Sequence, residues 1–314
     1  MCGIAGYLDR SGSGEAPVGS VLLRMLTALG DRGPDSAGVA LFGEPSQSLV
    51  LRIKLGEVGD LASRAELVVA RLGGEGIGAV QAERSGPYLR VALPPNTPLP
   101  AVTSAIESLT PPGSDAVELI SAGRCLEIVK QVGSPADLES AYRISETCGT
   151  HGIGHTRLST ESRVDLSHSQ PFWAHGVPDL AVVHNGHVTN YHRLRRIYEQ
   201  RGIRFYTEND SEIIGIYLGL RLARGENLEE AMRASLTDLD GSFCYLAAMP
   251  GVLAFAKDPY CLKPLVVAET QGWVAVATEE VALRQALGHH FRASEPPGRT
   301  LRVWETTMPL LAAA

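Results

Sequence analysis

The chain opens Met1-Cys2-Gly3-Ile4-Ala5-Gly6-Tyr7-Leu8. A cysteine directly behind the initiator methionine becomes the N-terminal residue once methionine aminopeptidase acts, because Cys is small enough for that enzyme to cut before it. Thiol and free amine then sit on one residue. With a thiol pKa near ~8.5 and an α-amine near ~7.7 to 8.0, the amine is partly unprotonated at neutral pH. It can take the thiol's proton directly or through water, so Cys2 would be a nucleophile that carries its own base. Residues 3–8 read as a short buried strand, with glycines where something must approach the backbone closely. Taken alone, a cysteine at position 2 is more often a small buried hydrophobe. The decision between the two readings lies further along the chain.

The 314 residues are 44% hydrophobic and 20% charged, enough to bury a large core in one large or two modest domains. A net charge of −7 argues against a nucleic-acid surface, which needs a basic face to neutralise phosphates. No apolar run approaches the ~18 residues of a membrane span, and no basic segment followed by an apolar stretch marks a signal peptide. The five cysteines, Cys2, Cys125, Cys148, Cys244 and Cys261, are odd in number, far apart and without C-x-x-C spacing. That pattern argues against a disulfide framework or structural metal site and fits a reducing cytoplasm.

Apolar residues Val21, Leu22, Met25, Leu26 and Leu29 form a helical stripe over residues 18–30, followed by the turn-rich Asp31-Arg32-Gly33-Pro34-Asp35-Ser36 and a strand over 39–42. Residues from about 51 to 145 have another texture, with a helix expected over 58–71, strand-like pieces around 88–93 and the breaker Pro111-Pro112-Gly113, and they read as an insertion within one domain. Then comes Gly154-His155-Thr156-Arg157-Leu158-Ser159-Thr160, a strand running into polar residues. Residues 180–183 are a buried strand ending in His184-Asn185-Gly186-His187. Helices are expected over 191–200, 212–224 and 227–239, with Asp210 as an N-cap or first-turn acid of the second. A run of strands follows over 242–248, 252–256, 265–268 and 274–277. Runs of helices and strands, rather than alternating β-α-β units, imply an α+β fold.

Five of these pieces, Cys2-Gly3-Ile4-Ala5-Gly6, Arg32 to Ser36, Gly154 to Arg157 with Thr160, His184-Asn185-Gly186 and Asp210-Ser211-Glu212, stand in the order found in class II glutamine amidotransferase domains. The chain resembles that family of N-terminal-nucleophile hydrolases over nearly its whole length outside the insertion. Lys257-Asp258-Pro259, Lys263-Pro264-Leu265 and Ala277-Thr278-Glu279-Glu280 are similar to its later strands.

The resemblance implies a four-layer αββα sandwich over residues 1–314 and a set of roles. Cys2 is the nucleophile. Asn185, through its side-chain NH2, and Gly186, through its backbone N–H, form the oxyanion site, where losing one donor typically costs ~3 to 4 kcal/mol. Arg157 grips the substrate α-carboxylate with a planar bidentate fork, Asp210 pairs with the α-ammonium, and Thr160 and Arg32 complete the substrate site, Arg32 by ordering it. His155 and His184 are read as core or hydrogen-bonded histidines. Leu158 and Glu161 replace the Trp and His of sugar-phosphate transamidating relatives, which turns the likeness away from them. The size of the chain, its insertion and the lack of a following synthetase segment make it resemble the stand-alone amidotransferase subunits of N-methylglutamate synthase and glutamate-synthase-like systems. Glutamine is then the substrate. The chain itself holds no cofactor or metal, and FMN or an iron–sulfur cluster belongs to flavoprotein partner subunits; nucleic acid and membrane are not partners. Two other readings remain at this point: an N-terminal-nucleophile amidohydrolase for another amide, which an amino-acid-gripping Arg157 and Asp210 disfavour, and a non-catalytic regulatory subunit.

Overall fold

The computed structural model describes residues 2–78, 81–109, 117–159 and 163–307. Among these the strands form three sheets in which every ladder is antiparallel. The first runs, in spatial order, Ala293–Ser294, Val266–Glu269, Trp273–Ala277, Gly3–Asp9, His151–Arg157, Ser36–Phe42, Leu126–Val132. The second runs Leu301–Glu305, Val252–Lys257, Gly241–Met249, Ala181–Val188, Phe172–Trp173. The N-terminal strand thus lies at the centre of the first sheet, which is why its residues are almost all buried.

Strand alternation distributes these side chains between two cores. Ile4 and Leu8 join Val183, Leu246 and Phe255 of the second sheet, while Ala5 and Tyr7 face Leu22, Met25 and Leu26 of the helix Val18–Ala28. The sequence reading of glycines at close approaches holds at Gly6, where an added Cβ would stand 2.9 Å from Leu246 Cδ1 of the facing sheet. On the far side of the second sheet, Val182, Tyr245 and Ala254 pack with Tyr198, Ile213, Tyr217 and Met232, which belong to the helices Tyr191–Glu199, Asp210–Leu222 and Leu228–Asp238.

The third sheet, ordered Gln81–Ser85, Tyr88–Leu93, Leu49–Lys54, Glu118–Gly123, carries the helices Leu61–Gly74 and Leu99–Glu107. Asp60 starts the first of these by accepting from the N–H groups of Ala62 and Ser63. Part of the stretch expected as an insertion lies elsewhere. Leu126–Val132 pairs with Ser36–Phe42 along its length, and Leu138 of the helix Pro135–Tyr142 joins Leu22 and Met25. Residues 126–145 therefore belong to the first sheet and its helical face. Pro111-Pro112-Gly113 lies outside the described residues.

The return from the third sheet is anchored by one buried carboxylate. Asp179 accepts from the N–H groups of Arg124 at 2.9 Å, Cys125 at 2.8 Å and Leu126 at 2.8 Å. Removing it strands three backbone donors together, so Asp179→Ala is expected to lower the unfolding free energy by about 3 kcal/mol in urea titrations; a change under about 1 kcal/mol would show that the turn holds without it.

Candidate active site

Register brings the separated motifs together. Gly3 stands opposite Thr156, and Ser36 opposite Arg157. The start of the N-terminal strand, the end of His151–Arg157 and the loop ahead of Ser36 therefore share one end of the first sheet. Ile4 is locked there on its other side: its N–H donates to Thr278 Oγ1 at 2.8 Å and its carbonyl accepts from Thr278 N–H at 3.0 Å. Cys2, immediately before, is half-buried, with Sγ 3.7 Å from the Leu158 carbonyl.

Asn185 and Gly186 lie within a strand, not after one. Ala181–Val188 continues through them, pairing Asn185 with Cys244 and Gly186 with Phe243. An Asn-Gly pair that would favour a turn in a short peptide is overridden by eight rungs of pairing to Gly241–Met249. Glycine is required at 186, where φ is 136° and a Cβ would fall 2.1 Å from the Ser242 carbonyl. Asn185 Nδ2 donates to the Cys2 carbonyl at 3.2 Å, joining the two sheets at Cys2.

Asp210 is the first residue of Asp210–Leu222, behind the N-cap Asn209. Its Oδ2 accepts the Val188 N–H at 2.8 Å, and the helix N-terminus favours its negative charge. Arg157 is buried; Nη1 donates to the Arg163 carbonyl at 2.8 Å and Nη2 to Ser159 Oγ at 3.4 Å. Burial pulls its pKa down from the ordinary arginine value, opposed by Cys2, Asp165 and Asp35. Asp35 shapes the same loop by accepting the Ser159 N–H at 2.7 Å.

These groups line one cavity of about 900 Å³ that includes Cys2, Arg157, Asn185, Gly186 and Asp210. Arg32, expected among the substrate-binding residues, is not in its lining: it pairs with Glu279 and reaches the Cys2 carbonyl through Nε at 3.4 Å. It steadies the backbone of Cys2. Thr160 and Glu161 lie outside the described residues. His155 and His184 are buried, and desolvation drives the His155 pKa down to about 3 and lowers that of His184, so both are neutral.

Sequence reasoning gave no role to Lys263, His187 and Glu208, which line the cavity. Nor did it assign Gln170 or Ser211, which bond to His184 beside Asn185. Thr278 and Glu279 were visible only as part of a family-like segment. Among the described residues no cluster of His, Cys, Asp and Glu could hold a metal ion, and no helix is long and apolar enough to cross a membrane.

Comparison with known proteins agrees with the geometry. A model of the glutamine amidotransferase domain matches residues 155–285. A Methanothermobacter thermautotrophicus protein provisionally named a glutamine amidotransferase is 36% identical, the alignment covering 97% of this chain and all of that protein. The glutamine amidotransferase-like protein GlxB of Rhizobium meliloti is 32% identical over 97% of this chain and 95% of its own. Escherichia coli amidophosphoribosyltransferase is 29% identical, over 65% of this chain and 44% of its own. Among solved structures, the glutamine phosphoribosylpyrophosphate amidotransferase of B. subtilis shares the fold, with a TM-score of 0.61 at 17% identity, over 98% of this chain and half of that one.

One buried acid in the helix that presents Asp210 sets a pH dependence. Glu212 accepts from the N–H groups of Tyr206 at 2.8 Å and Thr207 at 2.9 Å and from Thr207 Oγ1 at 2.8 Å, yet burial pushes its pKa up to about 8. Between the ordinary carboxyl value of 4.5 and about 8 the folded state holds a proton that the unfolded chain has lost. Stability contributed by this group therefore falls as pH rises through that window. Glu212→Gln is expected to flatten the decline in melting temperature between about pH 5.5 and about pH 7.5; equal declines in both proteins would mean that Glu212 is ionised in the fold.

Proposed function

Because the chain belongs to the glutamine amidotransferase family, we propose that it hydrolyses the glutamine side-chain amide through a γ-glutamyl thioester on Cys2 and delivers the ammonia to a partner synthase of the N-methylglutamate-synthase or glutamate-synthase type. The observation that carries this reading is the convergence of Cys2, Arg157, Asn185, Gly186 and Asp210 on one cavity.

The steps follow from those groups. With Met1 removed, the Cys2 α-amine takes the thiol proton and Sγ attacks the amide carbon. Negative charge develops on the amide oxygen, where Asn185 Nδ2 and the Gly186 N–H stabilise it. The protonated amine gives its proton to the departing nitrogen, ammonia leaves, and a thioester remains on Cys2. Water, deprotonated by the same amine, then releases glutamate. Arg157 and Asp210 hold the α-carboxylate and α-ammonium, and the main-chain contacts each already makes fix their positions before substrate arrives.

The same reading gives the chain the αββα layering of N-terminal-nucleophile hydrolases, supported by the alternation of side chains between three cores, and makes the third sheet an insertion in that scaffold. A partner subunit, bearing any FMN or iron–sulfur cluster, is supported by apolar side chains left exposed in or beside the cavity lining: Leu158 within it, Val164 beside Arg163, and Leu262 beside Lys263. Trp304 in the closing stretch is buried in its strand, and residues 308–311 lie outside the described residues.

The glutamine analogue 6-diazo-5-oxo-norleucine is expected to label Cys2 alone among the five cysteines, with the labelled chain starting at Cys2; equal labelling of Cys125, Cys148, Cys244 or Cys261 would contradict the assignment. Size-exclusion chromatography of native extract, followed by glutaminase assays with and without the co-eluting chains, is expected to show activity rising with a flavoprotein companion. A lone, fully active species would remove the partner from the account.

A further inference from the structure

The strand Ala181–Val188 has the full length of Gly241–Met249 on one side, but its other neighbour, Phe172–Trp173, reaches only to Val182. Asn185 and Gly186 therefore sit where the outer edge of the strand has no neighbouring strand among the described residues. Two side chains stand in for it. At His184, Gln170 Oε1 accepts the N–H at 2.6 Å and Gln170 Nε2 donates to the carbonyl at 3.1 Å. At Val188, Asp210 takes the N–H. Main-chain groups of a strand point alternately to its two edges, so residues 184, 186 and 188 share this edge, and it is clamped on both sides of Gly186.

Gln170 is 4% exposed, and its Nε2 also donates to Ser211 Oγ at 3.0 Å, which in turn lies 2.8 Å from His184 Nδ1. The carboxamide is thus bonded to the main chain of one residue as a strand partner would be, and tied to the helix that carries Asp210. We propose that Gln170 is a positioning residue for the oxyanion site, holding the strand so that Asn185 Nδ2 and the Gly186 N–H meet the developing oxyanion at the right angle. The inference rests on the reading of those two groups as oxyanion donors.

A role in positioning differs measurably from a role in stability alone. Oxyanion bonds strengthen in the transition state, so tilting the donors lowers kcat and spares substrate binding. Gln170→Met keeps the bulk and removes all three bonds, the two to the His184 main chain and the one to Ser211. Its kcat for glutamine hydrolysis, measured below the melting transition, is expected to fall roughly 10- to 100-fold, with KM within about twofold of wild type. In Gln170→Glu an ionised carboxylate faces the His184 carbonyl, whereas a protonated one restores an acceptor and a donor in the pattern of the amide. Its kcat relative to wild type at the same pH is therefore expected to recover as pH falls. Hydrogen exchange of residues 181–188 should accelerate in Gln170→Met while residues 252–257 stay protected.

An unchanged kcat in Gln170→Met, a loss confined to KM, or faster exchange with full activity would each overturn the proposal while leaving the site assignment standing. If Gln170→Met does not fold, the pH recovery of Gln170→Glu decides, and a flat ratio overturns it. A wild-type protein without glutaminase activity overturns the reading of Asn185 and Gly186 and this inference with it.

Discussion

The hydrogen bond from Asn185 Nδ2 to the Cys2 carbonyl is the contact on which the site depends, because its two ends belong to different sheets. Cys2 precedes the central strand of the first sheet, and Asn185 and Gly186 lie in the second. Neither sheet alone makes a site. Their spacing is set by Ile4, Leu8, Val183, Leu246 and Phe255 in the core between them and by the contact of Gly6 with Leu246. Packing density at that interface is therefore a functional quantity: a shift of one methylene in such a core is felt by its neighbours, and here the neighbours include the backbone that carries Cys2.

The charged groups are prepared in the same spirit. Asp210 and Arg157 are each bonded to main chain before any ligand arrives, Asp210 to Val188 N–H and Arg157 to the Arg163 carbonyl. Both reach into the cavity with little freedom left to lose, which lowers the ordering cost of binding. Arg32 works one step further back, steadied by Glu279 and touching the Cys2 carbonyl. The buried His155 and His184 are neutral, and in the proposed chemistry the base is the α-amine of Cys2.

Much of this was legible in the sequence because periodicity and local chemistry report on single elements. The stripe Val21, Leu22, Met25, Leu26 gave the first helix, and Asp210 marked the start of the helix that bears it, the N-cap itself being Asn209. The motif order brought Cys2, Arg157, Asn185, Gly186 and Asp210 together on one list, and the cavity contains all five. What could not be read was cross-chain pairing. Leu126–Val132 looks like its neighbours in the third sheet, and only its register with Ser36–Phe42 assigns it to the first. Asn185-Gly186 has the local chemistry of a turn and is held extended by Ser242 to Cys244. Gln170 and Asp179 act through backbone groups 14 and 55 residues away at His184 and Arg124, so no local signal marks them.

The central claim is that the thiol of an N-terminal Cys2 becomes covalently bonded to the γ-carbonyl of glutamine. Rapid acid quench of enzyme mixed with excess glutamine, followed by intact-mass and peptide analysis, tests it most directly. The account predicts a chain lacking Met1 that carries a hydroxylamine-labile glutamyl adduct on the peptide beginning at Cys2. Turnover of glutamine by a protein that retains Met1, or by one in which no such adduct forms and Cys2→Ala retains full activity, would contradict it.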